Sequence, residues 1–307
     1  MLTNEHIIDQ ALNRIVAGYV FPEKAAELDT VIRGRLAAGA YEGLDGAALC
    51  TAVTADFQEV VPDKHLRLLW TDVPQTPVRA GDADDADDAD ENAARAAFSA
   101  RLREENQGIR RVEQLEGNVG LIDIRLIPSA DEGAAAIGAA MQLVAHTSAL
   151  VLDLRACPGG MPEGAAMWNS YFFPDDQVHL HDIEDTPSGT SRQFWTVAHL
   201  PAPRYLDRPV YILTSADTFS GGEDVAYTLQ AHGRAVLVGE TTRGGAHPTT
   251  RYAVTEHVLV TVPTARTIST VTGTNWEGVG VLPDLPVPAD QALATALKAA
   301  GDRLAAA

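Results

Sequence analysis

PVYILTSADTFSGGEDVAYTLQA, residues 209–231, is the stretch from which the architecture can be read. Residues 209–215 are an almost unbroken apolar run, the pattern of a strand buried on both faces. A short polar loop follows, then Ser220, two glycines and a helical pattern from Glu223 to Ala231. Strand, loop and helix in that order form part of a βαβ unit, and the flanking sequence repeats the theme. Downstream, AVLVGE (235–240) reads as the next strand. Upstream, ALVLDLRA (149–156) is a second doubly buried run and VGLIDIRLI (119–127) a further strand, with helices expected over 133–146 and 163–172. HVLVTVPTA (257–265) alternates more and predicts an antiparallel or edge strand, and a helix over about 289–299 closes the chain. This alternation implies an α/β layered core over residues 117–307.

Ahead of that core the periodicity is helical. Ile7, Ile8, Ala11, Leu12, Ile15 and Val16 recur at helical spacing, as do Ala25, Leu28, Val31, Ile32 and Leu36, and then Leu44, Leu49, Val53 and Phe57. Asp45 is a candidate cap for the third helix. A helical bundle is expected to about Pro62, then a strand at LRLLW (66–70), so that residues 1–70 form the first domain. Residues 71–116 form a connection. It opens on turn-rich TDVPQTPVRAG and runs through DADDADDADE (82–91), a like-charged stretch with nothing to bury that reads as a solvated loop. A helix is expected again over 93–106.

The 307 residues carry 23 basic and 42 acidic side chains, a formal net charge of -19. That balance repels nucleic acid and anionic membranes, so neither is an expected partner. No apolar run approaches the roughly 18 residues that cross a bilayer, and the first residues lack a leader's apolar stretch, so a cytoplasmic location is expected. The two cysteines, Cys50 and Cys157, are too few for a disulfide framework and have no metal-ligand spacing. No cofactor or metal is expected; the His179-x-His181 spacing is weak evidence for zinc. Residues 173–208 read as one long loop, a candidate lid.

Ser220 is the residue with the most chemical promise. It sits just beyond the carboxyl end of a buried strand and beside a helix N-terminus, whose free N–H groups and positive dipole end favour a developing oxyanion. Gly221 and Gly222 allow close approach of a substrate. The same residues also fit a plain helix N-cap, with Glu223 completing a capping box. Local sequence alone leaves both readings open.

Four ordered motifs decide between them. TSADTFSGGEDVAYTLQ with GRAVLVGETTRGGAHP (233–248), GNVGLIDIR (117–125), VLDLRACPGG (151–160) and DKHLRL (63–68) resemble the landmark segments of the C-terminal-processing (tail-specific) and tricorn-type serine proteases. The match runs over about residues 5–290 and is most similar to the branch without a PDZ domain that includes interphotoreceptor retinoid-binding protein. The resemblance implies an N-terminal helical bundle followed by a ClpP/crotonase-like α/β core, and Ser220 as nucleophile. Many members pair the serine with a lysine 25 residues on; here that position is Gly245, and no lysine lies between Ser220 and Lys298. Tricorn-type members use instead a histidine, supported through a serine by a glutamate near the C-terminus. Those roles fall on His65 and Glu277, the latter within NWEGVGVLPDLPV, while the intermediate serine's place is taken by Lys64. Gly221 and either Gly159 or Gly160 would donate to the oxyanion, since Pro158 has no N–H.

Chemistry makes the same demand, because a serine hydroxyl needs an adjacent base and histidine serves near neutral pH. His247, in GGAHP, is a rival base or a pocket-lining residue. Arg155 either pairs with Asp153 or positions a substrate carboxylate. The expected function is therefore hydrolysis of a peptide, or of a small amide or ester, through Ser220, His65 and Glu277. The alternatives are a binding protein for a hydrophobic small molecule and a repurposed small-molecule hydrolase or cyclase.

Overall fold

A computed structural model of the chain describes residues 3–75, 96–174 and 177–306. The acidic run 82–91 and the first residues of the helix expected over 93–106 lie outside them. Three helices come first, α1 (Asn4–Gly18), α2 (Pro22–Ala37) and α3 (Gly46–Val60), then β1 (Arg67–Trp70). Residues 96–104 form α4. There follow β2 (Ile109–Leu115), β3 (Val119–Ile124), α5 (Ala130–Leu143), β4 (Ala149–Asp153) and α6 (Pro162–Ser170). Next are β5 (His179–Asp185), β6 (Thr190–Trp195), β7 (Val210–Thr214), α7 (Gly221–Ala231) and β8 (Val236–Gly239). The chain ends with β9 (Thr249–Ala253), β10 (Val258–Pro263), β11 (Ala265–Ser269), β12 (Leu285–Pro286) and α8 (Ala292–Ala305). The result is a mixed α/β protein whose chain divides into two compact units: residues 1–97, 183–192 and 247–267, and residues 98–182, 193–246 and 268–307.

The second unit is built on a six-stranded sheet of order β12-β8-β7-β4-β3-β2. All neighbours are parallel except β2, which returns antiparallel on β3. Every residue of β3, β4 and β7 is buried, as their unbroken apolar runs require. On one face Val119, Leu121, Val151 and Leu213 pack against Ala292, Ala296 and Ala300, a flat stripe at four-residue spacing along α8. Alternation sends Ile122, Leu150, Leu152 and Ile212 to the opposite face, where they are fully buried. Because the strands are parallel, the loops leaving β3, β4, β7 and β8 all open at one edge, the place where α/β sheets collect their chemistry.

The first unit packs its three helices on an antiparallel sheet of order β1-β10-β9. Its core joins Ile8, Leu12 and Ile15 of α1 to Leu28, Ile32, Leu49, Val53 and Phe57 and to Val260 and Val262 of β10. Thr3 caps α1 by accepting the His6 N–H at 3.3 Å. Asp45 takes the N-cap position of α3 without a side-chain bond. The strand expected at 257–265 is antiparallel but central, because β1 and β9 flank it on both sides. The long loop expected over 173–208 carries β5 and β6, which join β11 in a third sheet. β6 is exposed at five of its six positions, so it lacks the apolar run by which a strand is recognised.

Candidate active site

The nucleophile candidate is presented by a strained turn. Ser220 has φ 51° and ψ −119°, a region that L-residues rarely occupy and that an ordinary N-cap, with its extended backbone, does not use. The turn is stapled to the segment that leaves β4. The Thr218 hydroxyl donates to the Leu154 carbonyl at 2.8 Å, and the Phe219 N–H donates to the Cys157 carbonyl at 3.0 Å. The Ser215 hydroxyl donates to the Arg155 carbonyl at 2.5 Å. These bonds lock the β7–α7 loop to the β4–α6 loop, which carries Gly159 and Gly160.

The two glycine segments then meet. A Cβ on Gly159 would stand 2.7 Å from both the Ser220 Cβ and the Gly221 nitrogen, and one on Gly221 would stand 3.0 Å from the Gly160 nitrogen. Gly159 has φ 106° and Gly160 has φ 149°. Side chains are excluded here by space and by backbone together. Among the described residues, the N–H groups of Gly160 and Gly221 have no acceptor. Ser220 and the three glycines read from sequence as oxyanion donors are therefore neighbours, with two N–H groups available to a developing negative charge.

Glu223, the third residue of α7, is fully buried. One oxygen accepts the Ser220 N–H at 2.8 Å and the Gly245 N–H at 2.9 Å. The other accepts the Gly244 N–H at 2.6 Å and the Thr242 hydroxyl. Burial pushes its pKa up, and the four donors pull against that by favouring the charged form. The carboxylate thus ties the serine turn to the glycine-rich loop after β8. That loop is held from another side by the 275–278 segment. The Trp276 indole N–H donates to the Gly245 carbonyl at 2.9 Å, and Glu277 accepts the Ala246 N–H at 2.5 Å.

Both candidate histidines lie in the first unit and share one carboxylate. His65 sits on the turn between α3 and β1, its N–H donating to Asp63 at 3.0 Å. The His65 carbonyl accepts the Thr261 hydroxyl at 2.5 Å. His247 is buried, with Nδ1 at 2.8 Å from the other Asp63 oxygen, which also accepts the Tyr19 hydroxyl at 3.1 Å. The sequence reading named neither Asp63 as the partner of His247 nor Glu223 as more than a cap.

Arg155 forms a two-pronged pair with Asp153, at 2.9 and 2.7 Å, and donates to the Ala289 carbonyl at 2.7 Å. Register-matched Asp123 on β3 is paired in the same way with Arg125. His179 and His181 each stack on an aromatic ring, Trp195 and Phe194. Burial raises the Cys157 thiol to about 12 and Cys50 to about 11, so neither is a thiolate near neutral pH.

Residues 118–287 match the sequence profile of peptidase family S41. The fold recurs in several solved structures. A lipoprotein from Streptococcus agalactiae is 15% identical, with a TM-score of 0.62 over 99% of this chain and 98% of its own. The photosystem II D1 C-terminal processing protease is 15% identical, with a TM-score of 0.55 over 94% of both chains. The tricorn protease is 13% identical, with a TM-score of 0.57 over 95% of this chain and 35% of its own.

Proposed function

The chain belongs to peptidase family S41, and on that premise we propose that it cleaves peptide bonds by acyl transfer to water, with Ser220 as nucleophile and His65 as base. Membership makes it a serine-type peptidase; the residue roles are our reading. The observation that carries it is the strained Ser220 turn at the carboxyl end of β7, packed against the Gly159–Gly160 turn. A serine needed only to cap α7 has no use for that backbone.

In this scheme the Ser220 hydroxyl attacks the scissile carbonyl as His65 takes its proton. The N–H groups of Gly221 and Gly160 hold the resulting oxyanion, and removal of one such donor costs about 10²–10³ in turnover. His65 then returns the proton to the departing amine, and water repeats the cycle on the acyl-enzyme. Glu277 is assigned to orienting His65, and small amides or esters are further candidate substrates. No lysine lies between Ser220 and Lys298, and a lysine base would need its pKa lowered by several units, whereas a histidine needs almost no shift.

The test is reaction with a fluorophosphonate probe. Wild type is expected to be labelled at Ser220, and the folded Ser220→Ala and His65→Ala variants to be inert, while Lys64→Ala reacts. A folded wild type that takes no label overturns the assignment of Ser220 as an activated nucleophile.

A further inference from the structure

Asp63 and His247 have no part in the scheme above, yet they form a buried ion-pair geometry, 3% and 4% exposed, across 184 positions of sequence. We propose that Asp63 and His247 are positioning residues, which act together to fix the backbone, and so the imidazole direction, of His65. The proposal rests on the reading of His65 as the base.

A carboxylate is an acceptor only, and when buried it is stable only if donors fill its oxygens. Asp63 has three. His247 Nδ1 at 2.8 Å and the Tyr19 hydroxyl at 3.1 Å hold one oxygen. The other holds the His65 N–H at 3.0 Å. The His65 carbonyl is bound in turn by the Thr261 hydroxyl, and the Leu66 N–H closes the turn on the Asp63 carbonyl at 3.1 Å. With N–H and carbonyl both held, the Cα–Cβ direction of His65 has little freedom. Without the His247 donor, one oxygen keeps only the longer tyrosine bond. The carboxylate then turns to find another donor, and the His65 N–H moves with it. His247 is itself buried and stands edge-on to Phe21, ring centres 5.7 Å apart, so its ring packs in place as it donates. A misplacement of about 1 Å in a catalytic group costs on the order of a hundredfold in rate.

The experiment measures kinact and KI for a fluorophosphonate on the full chain, together with amide hydrogen exchange at His65. His247→Phe keeps a ring beside Phe21 and removes the donor. It is expected to lower kinact by about 10–100-fold and to leave KI within about twofold, because chemistry and not binding is disturbed. His247→Asn places an amide N–H near the Nδ1 position and is expected to recover most of kinact. Asp63→Asn combined with His247→Phe should cost little more than either alone, since the two act as one unit. A His247→Phe protein that is less stable but has the wild-type kinact makes the pair merely structural and overturns the proposal. A loss as complete as that of Ser220→Ala overturns it too, by making His247 the base. Normal labelling of His65→Ala instead refutes the base assignment. Should wild type itself be inert to the probe, the exchange data decide alone: faster exchange at the His65 amide in His247→Phe supports the positioning, and unchanged protection refutes it.

Discussion

Replacing Ser220 by glycine should stabilise the protein. The residue stands at φ 51° and ψ −119°, where an L-side chain costs about 1–3 kcal/mol and glycine almost nothing. Against that gain stands the greater freedom of a glycine in the unfolded chain, about 0.5–1 kcal/mol. The bond from the Ser220 N–H to Glu223 is a backbone bond and survives the change. The balance is a gain of about 1 kcal/mol, or a rise in Tm of about 2–3 °C for a chain of this size. Ser220→Ala keeps a Cβ and therefore keeps the strain. An ordinary N-cap serine gives the opposite sign, since its extended backbone is unstrained and glycine there costs a few tenths of a kcal/mol. Calorimetry and urea unfolding of wild type, Ser220→Ala and Ser220→Gly at one pH measure the difference. A Ser220→Gly protein that melts below wild type would refute the claim that the fold holds this serine under strain.

Other outcomes follow from the same geometry. Gly159→Ala should cost more than about 2 kcal/mol, given its φ of 106° and a new Cβ 2.7 Å from the Ser220 Cβ, and should cut fluorophosphonate labelling at least about a hundredfold. Glu223→Gln turns an amide NH₂ toward two of the four donors now satisfied; urea unfolding should show a loss of about 2–6 kcal/mol. Asp224 has its pKa raised from 3.8 by burial, with His181 the largest opposing influence, so the fold favours its protonated form. Its contribution is fullest below pH 3.8 and falls as pH rises toward the raised folded value. The Tm difference between Asp224→Asn and wild type should accordingly grow in favour of the variant as pH rises from about 4, and a difference that stays constant contradicts the burial argument. Iodoacetamide at pH 8 should leave Cys50 and Cys157 unmodified in the native protein and alkylate both after unfolding, since their raised values near 11 and 12 belong to burial.

What the sequence made legible was whatever depends on neighbours along the chain. The buried runs at 149–156 and 209–215 identify β4 and β7 because a strand covered on both faces has no polar alternation to obscure it. α1, α2 and α3 were legible from their apolar spacing. β5 and β6 were not, because half-exposed strands rich in His, Asp, Thr and Ser carry no run to recognise. The site divides in the same way. Ser220 with Glu223 is a local pattern, three residues apart, and so is Asp63 with the His65 N–H, two apart. The donors that complete each carboxylate come from 19 to 22 positions away for Glu223, and from 44 and 184 positions away for Asp63. Periodicity and motif spacing have nothing to say about those.

Those two carboxylates follow one physical plan. Burying an ionised group is costly and is tolerated where donors surround it. Glu223 takes four donors and Asp63 three. In each set one donor is the backbone N–H of a proposed catalytic residue, Ser220 in one unit and His65 in the other. Holding each residue by its main chain fixes the point from which its side chain extends. The remaining donors come from the 242–245 loop for Glu223 and from Tyr19 and His247 for Asp63, so each carboxylate is also anchored to chain distant from the residue it holds. In the proposed scheme the buried carboxylate fixes the frame from which the Ser220 hydroxyl and the His65 imidazole extend, the preorganisation on which catalysis by electrostatic stabilisation depends.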